Sequence, residues 1–178
     1  MKNWNLICCI GKNGELGKDG NIIWNIPEYM KRFKELTTGC IVVMGRKTWD
    51  SLPEKFRPLP NRLNIVITNG NYQHVNGSLI FGGDKDYIIK AIESSKKKIE
   101  GYENSPVWIM GGAEIYEMFQ SECEKLYLTI VDAEADADTY FRPFNSEEFK
   151  LLEESLPKAV PPNNTLIYRF LTLERNGI

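Results

Sequence analysis

The sequence predicts a single α/β domain, with a mostly parallel central sheet, an antiparallel C-terminal edge and flanking helices. Three observations carry this. Apolar runs of strand length recur along the chain, helical patterns separate the earlier ones, and the late runs follow one another with no helix between them. The chain of 178 residues is 42% hydrophobic, enough for one core, because folding at this size removes about 70% of the unfolded surface from water.

The strand candidates are Leu6 to Ile10, Ile41 to Met44, Leu63 to Ile67, Leu79 to Phe81, Val107 to Met110, Leu126 to Val131 and Leu166 to Leu173. Most are continuous rather than alternating, which suits strands covered on both faces. The first helix, Pro27 to Leu36, opens on a proline suited to a first turn and places Glu28 near the positive end of the dipole. Met30, Phe33 and Leu36 recur on it at three-residue spacing. Asp84 to Ile99 opens on a capping residue, repeats Ile88, Ile89 and Ile92, and ends in Lys96, Lys97 and Lys98, read as a solvated helix end. Gly112 to Phe119 is a third, shorter helix. Parallel strands joined through helices imply right-handed crossovers. The Pro- and Asn-rich stretch from Pro157 to Asn164 reads as a surface connection.

With 22 basic and 24 acidic residues, the net charge of -2 excludes the basic field of a general nucleic-acid binder. No stretch approaches the roughly 20 apolar residues of a membrane span, and Leu6 to Ile10 is too short for a signal-peptide core. A cytosolic protein is expected, so the sequons at Asn76 and Asn163 read as exposed turns. Cys8, Cys9, Cys40 and Cys123 lack CxxC spacing, and His74 is the only histidine. Buried free thiols are expected, and no metal.

Glycines at 11, 14, 17 and 20 follow the first strand. A phosphate loop of the GxxxxGK[S/T] kind would need glycine at 12 and Ser or Thr at 19, where the chain has Lys12 and Asp19; the GxGxxG pattern fails on spacing. A mobile glycine-rich loop remains, either a plain connection or a lid where α/β sheets place ligands. At Met44-Gly45-Arg46-Lys47-Thr48-Trp49 a buried strand ends in glycine beside two cations. At Ile109-Met110-Gly111-Gly112-Ala113 another ends in small residues that open a helix. Each alone fits an ordinary turn, but two anion-binding strand ends in one small sheet suit a dinucleotide, with phosphates at separate places.

The order of these segments resembles the dihydrofolate reductase family over nearly the full chain. The resemblance rests on Trp24-Asn25-Ile26-Pro27, Phe33-Lys34, the Met44 to Trp49 run, Arg57-Pro58-Leu59-Pro60-Asn61-Arg62, Met110-Gly111-Gly112, and Leu126-Tyr127-Leu128-Thr129 followed by Asp132-Ala133-Glu134. It implies a dihydrofolate reductase-like fold and hydride transfer from NADPH to dihydrofolate, giving tetrahydrofolate, in a monomer that also binds antifolates. Cofactor contacts are then expected at Cys9, Leu16, Gly17, Lys18, Gly45, Arg46, Lys47, Thr48, Thr68, Asn69, Gly111, Gly112, Ala113, Glu114, Ile115 and Tyr116. Arg46 and Lys47 would favour the 2′-phosphate of NADPH over NADH.

On the substrate side the resemblance implies walls from Ile7, Cys8, Trp24, Met30, Phe33, Leu52 and Leu59, with Arg57 nearby and Arg62 pairing with the tail carboxylate. Thr129 matches the threonine that orients the family's pocket carboxylate. That carboxylate is the departure: its position falls on Tyr29, with Glu28 beside it. A phenol of reference pKa about 10 is neutral at pH 7 and supplies no negative charge. Three readings stay open. Glu28 takes over through a shifted first turn, Tyr29 occupies the pocket with protonation from water, or the enzyme reduces another heterocycle. A non-catalytic NADPH- or folate-binding protein is the alternative from a different class.

Overall fold

The computed structural model describes residues 3–70, 77–162 and 165–177. Both sequon asparagines and His74 lie outside them. In chain order the elements are β1 (Trp4–Ile10), β2 (Glu15–Lys18), β3 (Asn21–Ile22), α1 (Pro27–Thr37), β4 (Ile41–Gly45), α2 (Arg46–Ser51), β5 (Leu63–Ile67), β6 (Ser78–Phe81), α3 (Lys85–Lys98), β7 (Val107–Ile109), α4 (Ala113–Phe119), β8 (Lys125–Val131), β9 (Thr139–Tyr140), β10 (Phe149–Glu154), β11 (Lys158–Ala159) and β12 (Ile167–Arg175).

The main sheet runs β10-β12-β8-β1-β7-β4-β5-β6. Pairings from β8 across to β6 are parallel, while β12 is antiparallel to β8 and β10 antiparallel to β12. The continuous apolar runs follow from two-sided cover. In β1, whose seven residues are all buried, Trp4, Leu6, Cys8 and Ile10 face a cluster with Ile88 and Ile92 of α3 and Phe119 of α4. Ile7 and Cys9 face the other cluster, with Tyr29 and Phe33 of α1 and Trp49 of α2. Fully burying one such aliphatic side chain contributes about 1.5–3 kcal/mol. All four cysteines are buried free thiols, as their spacing implied.

Several details differ from the sequence reading. The buried stripe of α1 is Tyr29, Phe33 and Thr37 at four-residue spacing, while Met30 is 51% exposed. Thr37 sits on this stripe because its hydroxyl bonds back to the Phe33 carbonyl at 2.7 Å. Lys96 is buried rather than solvated: its stem follows Ile88 and Ile92 on the inner face of α3, with its ammonium 3.8 Å from Glu93. The glycine-rich segment is not one loop, for β2 and β3 pair and β2 also pairs with β9 in a separate three-stranded sheet. Inside the stretch from Pro157, β11 adds a short pairing to β12.

Candidate active site

The parallel strands deliver their C-terminal ends to one cavity of about 840 Å³. Cys9 arrives on β1, Gly45 ends β4, Thr68 and Asn69 follow β5, and Met110 to Gly112 follow β7. At two of these ends the backbones approach closely. The Gly45 amide donates to the Gly111 carbonyl at 2.8 Å, and a Cβ on Gly45 would come within 3.0 Å of Ile115 Cγ1. Gly111 has φ +115, where a side chain would be strained and would crowd the Tyr116 ring. Beside this cradle, Arg46 and Lys47 line the cavity in the first turn of α2, Arg46 being paired with Asp50 at 2.9 Å.

The structure brings together every residue expected to touch the cofactor, since Leu16, Gly17, Lys18, Thr48, Ala113, Glu114, Ile115 and Tyr116 line the same cavity. The sequence reading missed Asp138, Thr139 and Tyr140, which also line it. They reach it because β9 pairs with β2, a non-local pairing of very short strands that carries no periodic signal. Asp138 accepts from the Asp19 amide at 2.9 Å, and Lys18 is ion-paired with Asp136, so the lip of the cavity is fastened to the 136–140 segment.

Of the residues expected to handle substrate or proton, Tyr29 alone lines the cavity. Ile7, Trp24, Phe33 and Leu59 are buried in the cluster around it, and Leu52 packs against that cluster. Thr129 is buried on β8 and, by alternation, shares the face of Tyr127 and Val131, which belong to the same cluster. Cys8 is placed differently, its side chain belonging to the cluster on the opposite face. The Arg62 guanidinium bonds Thr37 Oγ1 at 2.9 Å and lies 5.7 Å from the centre of the Phe33 ring. Arg57 Nε is buried without a partner.

Glu28 faces elsewhere. Its carboxylate accepts from the Tyr168 hydroxyl at 2.7 Å and the Lys158 ammonium at 3.2 Å, outside the cavity. These two bonds hold it below the usual carboxylate range. No shift of the first turn occurs: α1 begins at Pro27 in regular helix, so neighbouring side chains diverge by about 100°. Trp24 is also committed, its indole N–H donating to the Glu15 carbonyl at 2.8 Å.

The phenols and the thiol at the Tyr29 end are held in their neutral forms. Burial pushes the Tyr29 phenol well up, and Cys8 and Cys9 add to this. Burial likewise raises the Tyr116 phenol and carries the Cys9 thiol to about 12. The Tyr116 hydroxyl donates to the Ile7 carbonyl at 2.8 Å. No side-chain cluster among the described residues could hold a metal ion, and no helix among them is long and apolar enough to cross a membrane.

The glycine cradle and two adjacent cations fit a phosphorylated dinucleotide, with room for its pyrophosphate against bare backbone. Comparison with known proteins agrees. The family model described as dihydrofolate reductase matches residues 3–175. The chain is 33% identical to the dihydrofolate reductase of Haemophilus influenzae over 97% of this chain and 98% of that one. It is 32% identical to the Heliothis virescens enzyme over 93% of this chain and 94% of that one. Among solved structures, dihydrofolate reductase from Enterococcus faecalis, complexed with NADP(H) and RAB-propyl, superposes with a TM-score of 0.80 at 25% identity, covering 97% of this chain and 96% of that one. The chain therefore belongs to the dihydrofolate reductase family of NADPH-dependent oxidoreductases.

Proposed function

We propose that this enzyme reduces dihydrofolate to tetrahydrofolate with Tyr29 holding the heterocycle by a hydrogen bond but supplying no charge, the proton coming from water. The carrying observation is Tyr29 itself, 9% exposed and lining the cavity whose other walls suit the dinucleotide. NADPH supplies the hydride. Gly45 and Gly111 to Ala113 would cradle its phosphates, while Arg46 and Lys47 would meet the 2′-phosphate. Phe33 packs against the flat ring and Arg62 pairs with the tail carboxylate.

The ring nitrogen beside the hydride acceptor must gain a proton. A carboxylate near that edge would favour the protonated, more electrophilic substrate. The buried Tyr29 phenol stays un-ionised and provides no such field. Turnover then depends on protonation of the bound ring by solvent, so the rate rises as pH falls between about 8 and 5. The Tyr29→Asp enzyme should turn over about 10²- to 10⁴-fold faster at neutral pH, the usual span for one acid–base group. Glu28→Gln should change little. NADPH oxidation with and without dihydrofolate reads all three. If NADPH binds and no substrate-dependent oxidation occurs at any pH, the chain is a binding protein and the proposal fails.

A further inference from the structure

The Tyr29 end of the cavity presents an arrangement of charge that bears on which ligands enter. Among the described residues no partner is hydrogen-bonded to the Tyr29 hydroxyl. Tyr29 lines the cavity, whereas the neighbouring Tyr116 hydroxyl is already committed to the Ile7 carbonyl. Tyr29 therefore offers a hydrogen-bond donor that a ligand can use.

The surroundings of Tyr29 carry no negative charge. From β1, the Cys9 thiol shares the cluster of Tyr29 while the Cys8 thiol lies on the opposite face of the sheet, and from α4, Tyr116 faces Tyr29 as a neutral phenol. On α1 itself, Glu28 points to Tyr168 and Lys158 on the outer side. Arg32, one turn along, is the full charge that acts on Tyr29, and its sign is positive, with Glu153 of β10 acting on Arg32 in turn. The Arg32 guanidinium is held 4.5 Å from the centre of the Phe170 ring and 5.5 Å from that of Tyr127, donating to Thr172 Oγ1 at 3.1 Å. The carboxylates that line the cavity are Glu114, at the start of α4, and Asp138, bound to the Asp19 amide on the small sheet.

We propose that this end of the cavity selects uncharged heterocycles that turn a hydrogen-bond acceptor toward the Tyr29 hydroxyl, and rejects the protonated forms of diamino heterocycles. A ring cation entering here would leave water for an apolar wall with no counter-ion, while Arg32, the charge that acts on Tyr29, repels it. A neutral ring with a carbonyl or unprotonated nitrogen at that edge accepts from the phenol and loses nothing of the kind. The proposal rests on the folate-type reading of the cleft and deepens it: the substrate binds in its neutral form, and the protonated species that reacts is a minor one.

The test uses the full chain with NADPH bound and two probes, 2,4-diaminopteridine and its 4-oxo counterpart, 2-amino-4-oxopteridine. Absorbance spectra of the bound diamino probe report its protonation directly, and calorimetry at several pH values gives its Kd. In the wild-type protein the probe should bind neutral, with a bound pKa below its free value, and its affinity should fall as pH drops through that free pKa. Tyr29→Asp should reverse both signs, raising affinity for the protonated probe by about 10- to 1,000-fold, the range of one opposite charge close by. Tyr29→Phe should weaken binding of the 4-oxo probe without admitting the cation. A wild-type complex holding the probe in its protonated form overturns the proposal, and that measurement needs no variant to fold. If NADPH binds but neither probe binds to the wild-type or the Asp variant, the folate-type reading itself fails and takes this inference with it. Binding of both neutral probes with no dihydrofolate turnover would instead overturn the proposed reaction alone.

Discussion

Glu15 is a carboxylate at 2% residue exposure in the segment that forms the lip of the cavity. Burial raises its pKa, yet its own amide, the amide and side chain of Asn13 and the Ala135 amide outweigh that and hold it below the usual range. Its carbonyl takes the Trp24 indole N–H, and a Cβ on Gly11 would come within 2.3 Å of its Oε2. One residue, through its carboxylate and its main-chain carbonyl, thus ties together the end of β1, the start of β2, Trp24 and the 135 segment. Because the folded carboxyl is depressed, its contribution is complete above the unfolded Glu pKa and vanishes as pH falls through the folded value. Glu15→Gln should cost about 1–3 kcal/mol in urea unfolding at neutral pH, with the difference from wild type shrinking in acid. The sequence hid this role because a lone glutamate among glycines looks like ordinary loop polarity. Tyr29 was legible because it broke a pattern that the residues around it kept.

At the scale of elements, α1 is the part that must not rotate, since it carries Tyr29 and Phe33 on one stripe. Two clamps set its angle: Glu28 to Tyr168 and Lys158 near its start, and Arg32 to Phe170 and Thr172 one turn later. Both reach β12 or its partner β11. The Glu28–Tyr168 bond has a defined pH window. The lowered carboxyl gives stability that is lost as acid titrates it, and the Tyr168 phenol, raised by burial and then by Glu28, gives stability that is lost in alkali above about pH 10. Tyr168→Phe should cost about 1 kcal/mol after allowing for the exposure of Glu28. It should also raise the Glu28 pKa in an NMR titration. Seven strands and three helices were readable from apolar runs and turn residues, with ends off by at most two residues, while β10 was missed. The β2, β3 and β9 pairings were not readable, because strands of two to four residues depend on partners far along the chain. The α1 stripe was misread because three-residue spacing and four-residue spacing both describe a helix face, and only packing chooses between them.

For the whole molecule, the cavity stands where the strands of one sheet end, so a ligand there touches β1, β4, β5 and β7 together. Filling it should stabilise the entire fold by mass action, about 2.7 kcal/mol at a hundredfold excess over Kd. A thermal melt with saturating NADPH should show that gain, and Arg46→Ala should lose more of it with NADPH than with NADH, because only the former has the 2′-phosphate. Fold class and the glycine-lined wall of the cavity were legible together for the same physical reason: the glycine and small residues that end the parallel strands are fixed by close backbone approach, which leaves a mark in local sequence. The residues expected on the substrate side were less so, being apolar and hard to tell from core.

The neighbouring thiols Cys8 and Cys9 project from β1 into different clusters, 0% and 5% exposed. Pleating sends them to opposite sides of the sheet. Each therefore reports the opening of its own layer to an alkylating reagent. Cys9, which also borders the cavity, would be shielded further by a bound nucleotide, whereas Cys8 becomes reactive when the helices packed over it part from the sheet. The ratio of the two labelling rates, followed peptide by peptide in a mass spectrometer, would tell whether the two halves of the core come apart in one event or in succession.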